Sequence, residues 1–592
     1  MKVNDKIAML RELMKKHGID AYIITDSDPH MSEYVSEHYK ARTWISGFTG
    51  SAGTVVVTQN ESALWTDGRY HIQAEKQLKG TEIKLFKQGN PGVPGVNNWI
   101  YDNLKEGQTA GFCAKTFPVL MAQDLERLLS KKNIKINKEH DFISEIWTEN
   151  RPPIPMDEIF IHDIKYSGKT AKEKIDEVRK QMEKEGADYY LLGSLDDIAW
   201  LFNFRGNDVP FVPVAASYAL ITKDEAFLFI NGKKVPQKVR EIFRENNVTV
   251  LEYDEVKNHL QNLKKGTIAF DRRRINTYLY DAINKDVTKK EIAEITTKLK
   301  AVKNETELEN FKTCQIRDGV AMVKFLKWVE ENVEKEEITE VTVSEKLKEL
   351  RLTQPDCLGP SFATIAGYKD HGAMMHYCAD DESKYTLKNE GVMVVDSGGQ
   401  YLCGTTDITR TVVFENITDE ERFDYTMVLK AHIGLASAKF LEGTTGSNLD
   451  ILARKPLWDI GLDYKCGTGH GVGYCLSVHE GPQGFSQYPS HVRLEKNMNV
   501  TIEPGIYKEG KHGIRIENMY NVVEDEKTEY GQFYRFEVMT LCPISLRGID
   551  EKLLTDAEKK WLNDYHKKVY EELKDYLSED ERAWLKENTR EI

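Results

Sequence analysis

Five side chains in the last third of the chain are of the types that hold cations. Asp396 closes the apolar run GVMVVDSGG, Asp407 sits in CGTTDITRTVVF, His470 in GTGHGVG, Glu503 in VTIEPGIY and Glu517 in GIRIENMY. Taken singly, each has a bland reading, because an aspartate after a strand is usually a turn former and a strand-end glutamate usually faces water. Taken together they do not, because a carboxylate buried without a partner is strongly destabilising, and four of them lie in apolar β-type runs. Divalent cations supply the missing compensation. Four oxygen-donating side chains with one imidazole suit two hard or borderline ions such as Mn²⁺, Co²⁺ or Zn²⁺. Such a pair brings the pKa of a shared water toward neutrality and polarises a carbonyl, which is the chemistry of amide hydrolysis.

The surrounding elements must bring these groups together. The glycine-rich stretch between Asp396 and Asp407 predicts a turn joining two adjacent strands. Amphipathic helices are expected over Glu305 to about Glu331 and Ser344 to about Leu352, ahead of strand-like runs rich in glycine, histidine and acidic residues between Gly359 and Val523. Asn304 or Thr306 can cap the first of these helices. The tail from Leu554 to Ile592 reads as charged and helical, with Trp561, Tyr565, Tyr570 and Trp584 spaced to form one packing face.

The first half contains an internal repeat. LMKKHGIDAYIIT (Leu13 to Thr25) and QMEKEGADYYLL (Gln181 to Leu192) share the order helix end, glycine, aspartate, apolar strand, and Trp44 and Trp200 each stand six residues before a glycine, Gly50 and Gly206. β-rich patches follow in both, so two related α/β domains are expected. Asn150-RPPIP-Met156 makes a linker, since consecutive prolines hold an extended path, and a second boundary falls near Ala301. The expected domains are 1–155, 156–302 and 303–592. Asp28, His30, Glu33 and Arg42 read as a solvated polar loop.

Composition narrows the function class. At 592 residues the chain exceeds one hydrophobic core. The balance of 81 basic against 95 acidic residues, formally −14, and the lack of a basic patch argue against nucleic acid as a partner. No run approaches the roughly 18 apolar residues of a membrane span, and Met1 to Gly18 carries charges throughout, so a cytoplasmic location is the expectation. Eight scattered cysteines without a C-x-x-C pair suit reduced thiols. There is no H-E-x-x-H, which excludes a zincin.

At the five acidic and histidine positions the chain closely resembles the aminopeptidase P (Xaa-Pro aminopeptidase) family of pita-bread metallopeptidases. The resemblance rests on DSGGQYLCGTTDITRT, GTGHGVG, HEGP, IEPGIY and GIRIEN in that order, and on FEVMTLCPISLRGID…TDAEKKWLNDYH, which looks like the long, three-domain form. It implies an α/β (α+β) chain of two creatinase-like N-terminal α/β domains followed by a pita-bread metallopeptidase domain with a C-terminal extension. It implies two divalent metal ions, Mn²⁺ with Co²⁺ or Zn²⁺ as alternatives, on Asp396, Asp407, His470, Glu503 and Glu517, with Asp407 and Glu517 serving both. Glu503 would also be general base and acid, His376 and His479 would line the site without ligating metal, and Arg515 would stand behind the ligands. Phe362 and Ile365 are candidates for a proline pocket. The implied substrates are peptides with N-terminal Xaa-Pro, and the implied assembly is a homodimer in which the first domain, through the Asp28 cluster, reaches over a partner's active site. Many relatives have a histidine four residues before the ligand histidine, where this chain has Cys466, which leaves open how the proline side of the substrate is contacted. Two other readings stand beside this one: a prolidase-type Xaa-Pro dipeptidase, and a metal-free pita-bread protein that only binds peptides.

Overall fold

The sequence repeat is a structural repeat. In the computed structural model, which describes residues 1–592, the chain divides into two compact units, Met1–Ile164 with Lys169–Thr296 and Lys165–Gly168 with Thr297–Ile592. The first unit holds two six-stranded sheets of one topology. The first runs, edge to edge, Ile83–Lys87, Ser62–Thr66, Thr54–Thr58, Ala21–Ile24, Thr109–Phe112 and Lys135–Asn137. The second repeats that order with Val248–Leu251, Ala226–Ile230, Ser217–Thr222, Tyr189–Leu192, Thr267–Phe270 and Thr288–Glu291. Parallel and antiparallel pairings fall at the same places in both sheets.

The repeated glycine and aspartate have a physical reason. Gly18 and Gly186 follow helices with φ of +64° and +62°, the left-handed conformation that ends a helix without a Cβ clash. Two residues on, the Asp20 and Asp188 carboxylates accept from the backbone N–H groups of Thr109 and Thr267 at 2.8 and 2.9 Å, tying each first strand to its parallel neighbour. The polar loop near residue 30 departs from expectation. Asp28, His30 and Arg42 are buried, and only Glu33 is exposed. Burial is tolerated because the partners are internal: Asp28 accepts from the N–H groups of His30 and Ser32, the His30 ring meets the Gly193 carbonyl and the Tyr253 hydroxyl, and Arg42 donates to the carbonyls of Phe48 and Gly50.

The second unit opens with a helix over Glu305–Asn332, capped by Asn304 and Glu307 reciprocally. The next helix, Glu340–Leu352, begins one turn earlier than its apolar periodicity suggests because Thr339 caps it. A three-stranded antiparallel sheet orders Ile365–Tyr368, Val392–Ser397 and Ile408–Val413. A four-stranded sheet orders Lys439–Leu441, Gly531–Val538, Asn518–Thr528 and Asn499–Ile502. A second three-stranded sheet orders Cys357–Pro360, Gly399–Tyr401 and Gly404–Thr405, and two hairpin-like pairs, Gly469–Gly471 with Glu480–Phe485 and Gly505–Lys508 with His512–Arg515, complete the β structure. The tail forms helices over Asp556–Leu573 and Glu579–Asn588. Tyr565 is buried in the core there, and Trp561, Tyr570 and Trp584 pack against it, as the aromatic spacing predicts.

Candidate metal centre

The expected strand pair exists: Val392–Ser397 lies antiparallel to Ile408–Val413 with Asp396 opposite Thr409, so the chain returns beside Asp396 just after Asp407. On the other side of Asp396 its strand partner is Ile365. Phe362 is buried three residues earlier. Glu517 is drawn in by its own backbone, whose N–H donates to the Thr409 carbonyl at 3.1 Å, and by the Thr409 hydroxyl, which donates to Oε2 at 2.8 Å. Glu503, at the end of Asn499–Ile502, donates its backbone N–H to the Thr468 carbonyl at 2.8 Å, so the His470 segment and the Glu503 segment lie side by side. Gly469 makes that approach possible, since a Cβ there would lie 2.0 Å from the Thr501 carbonyl oxygen.

One donor atom each from Asp396, Asp407 and Glu517 lie within 4.8 Å of one another, as do those of His470, Glu503 and Glu517. All five residues therefore meet in one place, as their types suggested. His470 contacts the Gly471 carbonyl through Nδ1 at 2.9 Å, which leaves Nε2 facing Asp407 at 3.4 Å and Glu503 at 3.5 Å. His479 joins the group. It comes within the same 4.8 Å of Asp407 and His470, and its ring stands edge-on to that of His470 at 4.4 Å. His376 lies in the loop after Lys369–Ala373, next to Met375.

Behind the carboxylates stands Arg515. Its guanidinium donates to Asp396 Oδ2 at 2.5 Å, to the Tyr507 hydroxyl at 2.7 Å, to the Thr409 hydroxyl at 3.1 Å and to the Met375 carbonyl at 3.4 Å. Tyr507 and Thr409 are not among the residues whose type marks them in the sequence. Thr409 follows Asp407 by two, the strand period that puts both on one face, and this was the available signal. Glu480, beside His479, carries no sequence mark either, yet its buried carboxylate takes Lys300 Nζ at 3.0 Å and Lys303 Nζ at 2.5 Å.

The electrostatics state what is missing. Burial, then the charges of Asp396 and Glu503, push the Asp407 carboxyl far above the ordinary carboxylate range. Burial also raises Glu517, with Asp407, Glu503 and Asp396 adding to it, and lifts Glu503 to about 7 despite the nearby Arg515. Cys466, near Glu503, is pushed to about 12, chiefly by burial, and stays a thiol. Asp396 Oδ1 and Glu517 Oε1 are buried with no hydrogen-bond partner. Orphaned anionic oxygens converging with an imidazole nitrogen fit divalent cations, whose charge would reverse each of these shifts.

A metallopeptidase of this architecture is what the comparisons with known proteins also find. Residues 309–524 match metallopeptidase family M24, residues 6–141 and 150–307 match the creatinase/prolidase N-terminal domain, and residues 532–592 match the C-terminal region of peptidase M24. Aminopeptidase P2 of Arabidopsis thaliana is 38% identical over 100% of this chain and 89% of its own length. A probable Xaa-Pro aminopeptidase P of Laccaria bicolor is 39% identical over 98% and 92%. Among solved structures, X-prolyl aminopeptidase from Caenorhabditis elegans, described as a cytosolic enzyme with a di-nuclear active site, is 34% identical with a TM-score of 0.96 over 100% of both chains. The chain belongs to the aminopeptidase P (Xaa-Pro aminopeptidase) family of M24 metallopeptidases.

Proposed function

We infer that the chain hydrolyses the bond between an N-terminal residue and a following proline, using two divalent ions held by Asp396, Asp407, His470, Glu503 and Glu517. The observation that carries this is the convergence of those five groups around the partnerless oxygens of Asp396 and Glu517. When bound, the ions supply Lewis acidity and a water acidic enough to lose its proton near neutral pH. Glu503 would serve as general base and then as general acid toward the leaving proline nitrogen. His376 and His479 donate hydrogen bonds to the developing oxyanion or hold the peptide. Arg515 fixes the orientation of Asp396. The proline ring replaces an N–H, which favours a flat apolar pocket; Phe362 and Ile365, both buried and Ile365 the strand partner of Asp396, are the residues proposed to form it.

Mn²⁺ is the proposed metal, with Co²⁺ and Zn²⁺ as rivals. The description of the Caenorhabditis relative as cytosolic supports a cytoplasmic location, and no helix here is long and apolar enough to cross a membrane. Homodimerisation is proposed from the family resemblance, and a purely monomeric sedimentation profile would remove it.

The test is hydrolysis of Xaa-Pro-Xaa tripeptides, abolished by chelation and restored ion by ion. A dipeptidase would instead cleave Xaa-Pro dipeptides and spare the tripeptides. A peptide-binding protein would bind both and cleave neither.

A further inference from the structure

The loop that carries His376 is held by one buried side chain far from it in sequence. Glu340 is fully buried at the start of the helix Glu340–Leu352, and all its acceptor capacity is turned onto residues 368–385. Oε1 accepts from the Tyr368 N–H at 2.7 Å, at the point where the chain leaves the strand Ile365–Tyr368. Both oxygens lie 3.0 Å from His371 Nδ1. Oε2 accepts from the Tyr377 hydroxyl at 3.2 Å, on the residue after His376, and from the Tyr385 N–H at 2.8 Å, near the loop's return. The Glu340 N–H closes the set by donating to the Tyr385 carbonyl at 3.2 Å. The rings reinforce this, with His371 stacked on Tyr385 at 3.7 Å and 4.3 Å from Tyr377. On the other side, Arg515 donates to Met375 at 3.4 Å while holding Asp396. Residues 375–377 are thus pinned between an arginine that touches the metal centre and a carboxylate that does not.

We propose that Glu340 is a positioning residue for the peptidase reaction, fixing the loop so that His376 meets the substrate in one geometry. A carboxylate suits this task because it accepts from four donors at once, whereas an amide has one acceptor oxygen and would set its NH₂ against an N–H or O–H donor. The proposal rests on the reading of His376 given under Proposed function.

The experiment compares Glu340→Gln, His376→Ala and the double variant in the metal-loaded full-length protein, with Tyr377→Phe as a milder cut of the bond next to His376. Glu340→Gln is expected to keep its bound metal and KM and to lose kcat by roughly tenfold to 100-fold, as misplacement of a reacting group by about 1 Å does. Tyr377→Phe should lose less. In the His376→Ala background, Glu340→Gln should cost almost nothing further, which a merely structural role would not produce. Hydrogen exchange should rise within 368–385, the stretch Glu340 holds, and not in the sheets beyond it. Wild-type kcat in Glu340→Gln, additive losses in the double variant, or unchanged exchange in the loop would overturn the proposal. Wild-type kcat in His376→Ala would instead remove His376 from the reaction, and the exchange measurement would still decide whether Glu340 orders the loop. If Glu340→Gln fails to fold, Tyr377→Phe carries the same cycle.

Discussion

Glu503→Gln separates the cost of the bare carboxylates from the gain on binding ions. In the metal-free chain Glu503 is lifted from the usual 4.5 to about 7, first by burial and then by Asp396. An acid whose folded pKa is raised favours folding while protonated, and that advantage is lost as pH climbs from 4.5 through 7. The linkage relation puts the cost of ionising it on the order of 1 kcal/mol at pH 5 and about 3 kcal/mol at pH 7.5. Glutamine keeps the shape and never ionises. In chelator, the stability advantage of Glu503→Gln over the wild type should therefore grow by about 2 kcal/mol between pH 5 and pH 7.5, a few degrees in Tm for a unit of this size. Taking the difference between the two proteins cancels titrating groups remote from Glu503, while Asp407 and Glu517, which its charge raises, add to the advantage in the same direction. In saturating Mn²⁺ the order should invert, because the wild type binds ions to its folded state more tightly. Thermal unfolding with and without chelator across this range is the assay. A difference that does not change with pH, or Mn²⁺ stabilising both proteins equally, would refute the reasoning. Turnover should fall at least about 10²-fold in the variant.

Other outcomes follow from the same geometry. His432, between the Ile516 carbonyl and the Tyr520 hydroxyl, is pushed down to about 3 by burial, as is His566, which accepts from the Ile544 N–H. Bases with depressed folded pKa values stabilise above the unfolded value of 6.5 and lose that contribution as pH falls. Each should cost about 2 kcal/mol at pH 5, and His432→Gln should remove its share from a denaturant titration at that pH. Gly469→Ala would set a Cβ 2.0 Å from the Thr501 carbonyl, so it should destabilise by about 1–3 kcal/mol and weaken metal binding through His470, as read by calorimetric titration. Arg515→Met leaves Asp396 without its cation and should cost about 3 kcal/mol in metal-free protein. Arg515→Lys should rescue this only in part, because an ammonium cannot reach Asp396, Thr409 and Tyr507 at once.

The convergence of the five candidate ligands was legible because carboxylates inside apolar β runs are costly, and their order matched a family pattern. The N-terminal repeat was legible because Gly18 with Asp20 and Gly186 with Asp188 each serve a backbone need that few residue types meet. Other features left no local trace. Glu340 reads as an ordinary acidic residue in a helix first turn, and only the fold of the loop over it makes it buried. Lys300, on the short helix Ile295–Ala301, and Lys303, just past its end, look like solvated lysines, yet both reach Glu480 in the interior, and no spacing announces a partner about 180 residues away. The loop at Asp28, His30 and Arg42 looked solvated because most of its partners are backbone carbonyls and N–H groups, with Tyr218 and Tyr253 as distant side chains against His30.

The central claim is a pair of divalent cations on one cluster of side chains, and metal stoichiometry tests it most directly. Titration of chelated protein with Mn²⁺, followed by elemental analysis and anomalous diffraction, should give two ions per chain, both touching Asp407 and Glu517. One site should be lost in His470→Ala. Protein that cleaves Xaa-Pro-Xaa at full rate with no bound ion, or ions that settle away from these residues, would contradict the account.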